Sequence, residues 1–433
     1  METSASQTPQ KTWPILPMAL GYCALLAVLG LLLALDAHES LLSGLKAILT
    51  SQSVLLSDYA AIGGPGAALL SSALTVLLAV AVLHFSKAPI NGSTLSTLGL
   101  VAGFSLFGKN ILNSPPILLG AWLSAKARRV PFSSCANVGV MATTLGPLVS
   151  FVCFSQSHHP IVGVLLGVLV GFAVPPLAQG TAKILRGMNL YNVGFACGLL
   201  AMVLMPVLHA AGIDPATVSL WSTEYSGFFG AFIVGLGLLF LVLGLLSARR
   251  SLPELGRRYL ALLRTQGRAP CDYLHDFGGS AVLVNMGLNG LLGAGYLLLI
   301  GGVFNGPTVG AILTLMGFSA GGKHPRNCLP IMAGVAIGGL TMSWSVTTPG
   351  AQIAAIFGTT LAPISGVFGI PAGILAGFLH GSVVLRTGGF VGGVNLYNNG
   401  FSGGLVALVL TGVLEELLPQ RSRSAKPNDV PEK

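Results

Sequence analysis

A chain of 433 residues that is 53% hydrophobic and only 8% charged, with a mean hydropathy of +0.80, cannot be a soluble globule, in which about a quarter of residues carry charge. A net charge of +9 would suggest nucleic acid in a soluble protein, but here the basic residues gather in short loops between apolar runs, where they report membrane topology. The six cysteines (23, 135, 153, 197, 271 and 328) show no CxxC or CxxH spacing, so no zinc site, disulfide frame or cofactor is expected.

Residues 1–11 are polar and read as a cytoplasmic N-terminus. The first apolar run, 13–35, has about the 20 residues a span requires and no small-residue cleavage site behind it, so it reads as a retained helix. An amphipathic piece at 40–55 and a span at 60–84 follow. Next comes a broken element with arms at 94–107 and 116–127, each reaching only some 20 Å against a hydrocarbon core of about 30 Å. Spans near 135–154, 161–177 and 190–208 complete the unit.

The unit then repeats. GFSLFGKNILNSPPILLG at 103–120 returns as GFSAGGKHPRNCLPIMAG at 317–334, with nine of 18 positions identical. GMNLYNVGFACGLLAMVL at 187–204 returns as GVNLYNNGFSGGLVALVL at 393–410, with 12 of 18 identical. Thr143-Thr144-Leu145 pairs with Thr359-Thr360-Leu361, each followed two residues on by a proline, and Asp58-Tyr59 is matched to Asp276-Phe277. The chain is therefore two copies of one transmembrane unit, 12–212 and 224–420, joined by an extracytoplasmic linker at 213–223 and closed by a cytoplasmic tail, 421–433. The second copy predicts spans at 227–247, 279–302, 352–369, 372–385 and 396–414 around its own broken element.

Charge decides whether the broken element crosses or turns back. If it re-enters, each unit has five crossings, the units are inverted, and 17 Lys and Arg lie inside, two (Lys46 and Arg386) outside and three within the broken elements. If it crosses, the division falls to 13 against six at best. The expected fold is an all-α polytopic membrane protein of two inverted repeats, about ten transmembrane helices and two re-entrant elements, in a bacterial inner membrane with both termini cytoplasmic. The basic loop at 249–272 carries six arginines and reads either as an amphipathic helix on the anionic leaflet or as a plain topology determinant.

Backbone can break at membrane depth only where protein or trapped water satisfies its polar groups, and a repeated pair of breaks points to a transport site. The candidate pathway residues are Lys109, Asn110 and Asn113 in the first break, with Lys323, His324, Arg326 and Asn327 in the second. A lysine at this depth costs at least about 2.5 kcal/mol. Three readings compete: ion pairs with Asp58 and Asp276, snorkelling to an interface, or lining the path. Helix arms starting at Pro115-Pro116 and at Cys328-Leu329-Pro330 add free N–H groups that favour a carboxylate, a small anion or a dipolar solute. The NLYN motifs contribute Asn189, Tyr191 and Asn192, with Asn395, Tyr397 and Asn398, as pathway donors and acceptors or as interhelical ties. Asn192 and Asn398 are expected to face each other across the pseudo-two-fold axis. The four threonines read as packing residues bonded to the preceding turn, and His158 and His159 as solvated loop residues. No GxSxG or HExxH context supports an enzyme, though an intramembrane transferase using the tyrosines and lysines is a third reading.

Together, the two breaks and the Tyr-Asn motifs resemble the urea transporter family, and the chain also looks like an uncharacterised bacterial membrane-protein family. The resemblance rests on Lys109-Asn110 to Asn113-Ser114-Pro115, Lys323 to Pro330, Tyr191-Asn192 and Tyr397-Asn398. It implies two inverted five-helix repeats with re-entrant helices, and a homotrimer with one pore per subunit. Because the lysines depart from that family's neutral pore lining, the expected function is a channel or facilitator for a small polar or anionic solute such as a carboxylate or amide. An ion-coupled secondary transporter is the alternative. The partners are the solute and the bilayer, not nucleic acid, and no catalysis is expected.

Overall fold

The computed structural model describes residues 14–36, 40–155, 160–215 and 218–418. The chain termini, His158 and His159 lie outside these residues. The first repeat comprises α1 (Ile15–Asp36), α2 (Leu41–Leu49), α3 (Tyr59–Phe85), α4 (Gly92–Phe104), α5 (Pro115–Ala127), α6 (Ala136–Ala142), α7 (Gly146–Phe154), α8 (Pro160–Leu185) and α9 (Asn192–Ala210). The second comprises α10 (Ser226–Ser247), α11 (Leu252–Leu262), α12 (Tyr273–Phe277), α13 (Gly279–Leu299), α14 (Gly306–Phe318), α15 (Pro325–Thr341), α16 (Pro349–Phe357), α17 (Ala362–Phe368), α18 (Ile370–Phe390) and α19 (Asn398–Leu417). One-turn 3₁₀ segments, Thr143–Leu145 and Gly358–Leu361, join α6 to α7 and α16 to α17. Ten of the described stretches are long and apolar enough to cross a membrane. The protein is an all-α polytopic membrane protein.

Both broken elements turn back. Near the start of α4, Thr97 Oγ1 donates to Asn137 Oδ1 at 2.9 Å, and Gly139 packs on Ala121 of the returning arm, so α4 enters and α5 leaves on the face where α6 begins. The two entering arms pack directly on each other, with Gly92 beside Ala320, Gly99 beside Gly317 and Gly103 beside Gly310. Contacts that descend one helix as they climb the other make α4 and α14 antiparallel, and an axis relating antiparallel neighbours lies across them, which inverts the repeats. Glycine is required at this crossing: a Cβ on Gly99 would stand 2.6 Å from Gly317 Cα.

Because the 13-residue arms of some 20 Å overlap along their whole length, each tip lies beside the start of the other repeat's arm. The second tip accordingly meets the basic loop: Gly322 packs against Gly267, and His324 Nε2 lies 3.1 Å from the Thr265 carbonyl. The two lysines therefore stand at opposite ends of the overlapping arms.

One sequence match is corrected here. The kink inside α3 at Gly64 (φ 82°, ψ 160°) recurs at Gly278 (φ 81°, ψ 159°), so α12 and α13 together correspond to α3, and the counterpart of Asp58-Tyr59 is Asp272-Tyr273. Asp276 instead faces the neighbouring His275 ring at 3.1 Å. The paired aspartates have one job, exchanged between repeats. Asp272 accepts from the Leu274 and His275 amides of its own helix and from Gly92 N–H, at the start of α4, at 3.0 Å. Asp58 accepts from Ala60 and Ser222, each at 3.1 Å, and from the Gly306 amide at the start of α14. Each aspartate thus caps the re-entrant arm of the opposite repeat, where a carboxylate meets the positive helix end.

Candidate functional site

The two tips are built the same way. A glycine in the left-handed region turns the chain (Gly108, φ 92°; Gly322, φ 117°), and the asparagine five residues on fastens the loop. Asn113 Nδ2 donates to the Gly108 carbonyl at 3.0 Å and its Oδ1 accepts from Asn110 N–H at 3.0 Å. Asn327 repeats both bonds, to Gly322 O at 2.9 Å and from His324 N–H at 2.9 Å. These asparagines satisfy the broken backbone at membrane depth. Asn110 bonds the Tyr59 hydroxyl at 3.1 Å, and His324 caps α15 by accepting from Asn327 N–H through Nδ1. The second arm therefore starts at Pro325, three residues earlier than the expected Cys328, because the histidine supplies the cap. Arg326 is exposed.

Lys109 and Lys323 are 1% and 0% exposed, so neither snorkels to water. Among the described residues no carboxylate lies within ion-pair distance of either, and Asp58 is occupied by backbone amides. Two of the three sequence readings, the ion pair and the snorkel, are thereby removed. Lys109 Nζ donates to the Val140 carbonyl at 3.2 Å, beside a void of about 10 Å³ bordered by Ser114, Thr143 and Thr75. Lys323 Nζ donates to Tyr191 Oη at 2.5 Å and Thr359 Oγ1 at 2.8 Å, and lies 4.1 Å from the centre of the Tyr191 ring. Both lysine nitrogens stand at the 3₁₀ break of the following span, where helix carbonyls and hydroxyls are free to accept.

The NLYN motifs tie the repeats together. Leu190 N–H donates to Thr360 O and Leu396 N–H to Thr144 O, at 3.0 and 3.1 Å. Asn189 and Asn395 reach the carbonyls of Gly400 and Gly194 in the opposite repeat. The residues that meet on the axis are the tyrosines: the Tyr191 and Tyr397 ring centres are 4.7 Å apart. Asn192 and Asn398 do not face each other; each donates to the preceding span, at Ala178 O and Val384 O. A 19- or 20-residue helix starting at the asparagine turns that side chain toward its sequence neighbour while the preceding tyrosine, still in the loop, reaches the axis. Thr143 and Thr359 do bond back, to Val140 and Ile356, whereas Thr360 Oγ1 crosses to Asn189 Oδ1 at 2.5 Å.

A family model described as "Protein of unknown function (DUF1576)" matches residues 37–210 and again 253–416, one match on each structural repeat. The chain belongs to the DUF1576 family. No curated protein and no solved structure matches it.

In this DUF1576 chain the sequence reading passed over three groups. Asp272 was detectable, since Asp272-Tyr273 repeats Asp58-Tyr59 at the same 214-residue offset as the broken elements. Asn285 and Asn289, lone amides in an apolar helix, hold the second tip: Asn285 Nδ2 donates to the carbonyls of Ser319 and Lys323, and Asn289 to the Ser319 hydroxyl. His380 and Asn399, fully or nearly buried and 3.1 Å apart, have no polar counterparts at Val174 and Val193, and nothing in the local sequence signals their pairing.

Proposed function

We propose that the protein is a carrier for a small polar or anionic solute, in a membrane that keeps both termini and the 249–272 loop cytoplasmic. The observation that carries the proposal is the pair of fully buried lysines, at equivalent tips, held only by neutral oxygens. A cation without a counter-ion in a low-dielectric setting is costly to keep, and it favours a passing anion or dipole over a cation. The carrier reading is preferred to the open channel because the α4 and α14 backbones touch at Gly99 and Gly317, so solute could pass there only if the repeats moved. The resemblance to the urea transporter family fits a solute path between inverted repeats with re-entrant tips, whether by channel or carrier, and implies a trimeric assembly. The protein would perform no covalent chemistry.

The test is flux into proteoliposomes of small carboxylates, halides and urea, for the wild type and a Lys109→Met, Lys323→Met double variant. Methionine keeps the apolar stem and removes the charge. The variant should assemble and lose anion flux by tenfold or more, on the order of one lost charge interaction, with less effect on urea. Equal flux of every solute in both proteins would refute the role of the lysines.

A further inference from the structure

The two halves correspond in sequence but not in bonding, and four equivalent ties differ in the same sense. Lys323 reaches the Tyr191 hydroxyl, whereas the Tyr397 hydroxyl, its counterpart for Lys109, has no partner among the described residues although the residue is fully buried. Thr360 Oγ1 bonds Asn189, while Thr144 Oγ1 turns instead to Cys197 Sγ at 3.9 Å. Asn189 holds Gly400 O at 2.9 Å, but Asn395 is 3.5 Å from Gly194 O. Asn192 is 2.8 Å from Ala178 O, and Asn398 is 3.4 Å from Val384 O. Each of these four ties is short on one side of the pseudo-two-fold axis, and its counterpart on the other side is longer or open.

Inverted repeats can exchange conformations, and the exchanged molecule opens to the other side at little change in energy. Resting on the carrier reading, we infer that Tyr191 and Tyr397 are alternating partners of the two buried lysines, positioning residues that hold one tip closed at a time. The state described here has Lys323 tied to Tyr191; the opposite state has Lys109 tied to Tyr397 and Lys323 returned to the Ile356 carbonyl, the counterpart of Val140. The ties exclude each other because the tyrosines share one space. Their rings pack at 4.7 Å, each wedged by the phenylalanine of the opposite arm, Phe318 at 4.6 Å from Tyr191 and Phe104 at 5.4 Å from Tyr397, so a shift of one ring toward its lysine displaces the other. Cys197, standing where the second repeat has Gly403, draws Thr144 away from Asn395 and biases the resting state.

Hydrogen–deuterium exchange on the full chain in nanodiscs, followed over 104–114 and 318–328, tests this. Tyr191→Phe removes a bond to a charged group, so exchange of 318–328 should rise about tenfold while that of 104–114 falls. Lys323→Met breaks the same tie from its other end and should give the same opposed pair of shifts. Tyr397→Phe removes the tie that holds the opposite state, in which 318–328 is released, so it should slow exchange of 318–328, the reverse of Tyr191→Phe. Faster exchange at 318–328 with 104–114 unchanged or also faster overturns the inference, as does no change in either. Opposed shifts in a protein that passes no solute would uphold the exchange of ties and remove the carrier reading. Measured flux without opposed shifts would do the reverse.

Discussion

Asp58 is the residue whose loss is expected to cost most outside the tips. Its carboxylate is fully buried and accepts from three backbone amides, Ala60, Ser222 and Gly306, which belong to three separate segments. Taking the lower end of about 1.5 kcal/mol for a bond to a charged group, Asp58→Ala forfeits about 4–5 kcal/mol and leaves three amide donors, two of them on buried residues, without acceptors. Asp58→Asn keeps one oxygen but turns an amide N–H toward one of those donors, so about half of the loss should return. Asp272→Ala removes as many bonds, yet Asp272 is only half-buried and water can replace the carboxylate, so about 1–2 kcal/mol is expected, the usual worth of an N-cap. Thermal melting of the purified protein in detergent, read by tryptophan fluorescence, should order the variants as wild type, Asp272→Ala, Asp58→Asn, Asp58→Ala. An Asp58→Ala variant indistinguishable from wild type, or an Asp272→Ala variant that melts as low, would refute the exchanged-cap account.

Gly99→Val should prevent the arms from packing and lower the yield of folded protein sharply, whereas Gly21→Ala, with nothing within 4 Å, should be silent; a well-folded Gly99→Val would show that the arms do not touch. Single cysteines at Ser251 and Ser345 should react with an impermeant maleimide from opposite sides of the membrane, and labelling of both from one side would sink the inverted arrangement. Among the native cysteines five are buried, and burial pushes the Cys271 thiol up to about 12, so the background should stay low at neutral pH. Asn192→Ala loses one interhelical bond of roughly 0.6 kcal/mol, so it should melt slightly lower and keep its flux per assembled molecule. A normal assembly with flux abolished would return Asn192 to the solute path.

Much of the architecture was legible because it rests on local chemistry. Apolar runs of about 20 residues, the duplicated NLYN segment, and glycine, lysine, asparagine and proline interrupting an apolar stretch each carry their own physical meaning, so the spans, the repeat and the two breaks could be read directly. Span limits moved by a few residues where a cap set them, as when His324 drew the start of α15 forward to Pro325.

What sequence could not decide was which groups meet, because that depends on how the repeats interlock. The overlap of α4 and α14 along their whole length carries each tip to the start of the other arm, and no property of either 13-residue arm encodes that overlap except the glycines at the crossing. The same interlocking gives Asp58 and Asp272 to the arms of opposite repeats, brings Tyr191 to Lys323, and turns Asn192 toward Ala178 instead of the axis. A side chain in an apolar helix announces that it needs a partner. Only the packing of one repeat on the other, fixed by close backbone approach between them, determines which partner it finds.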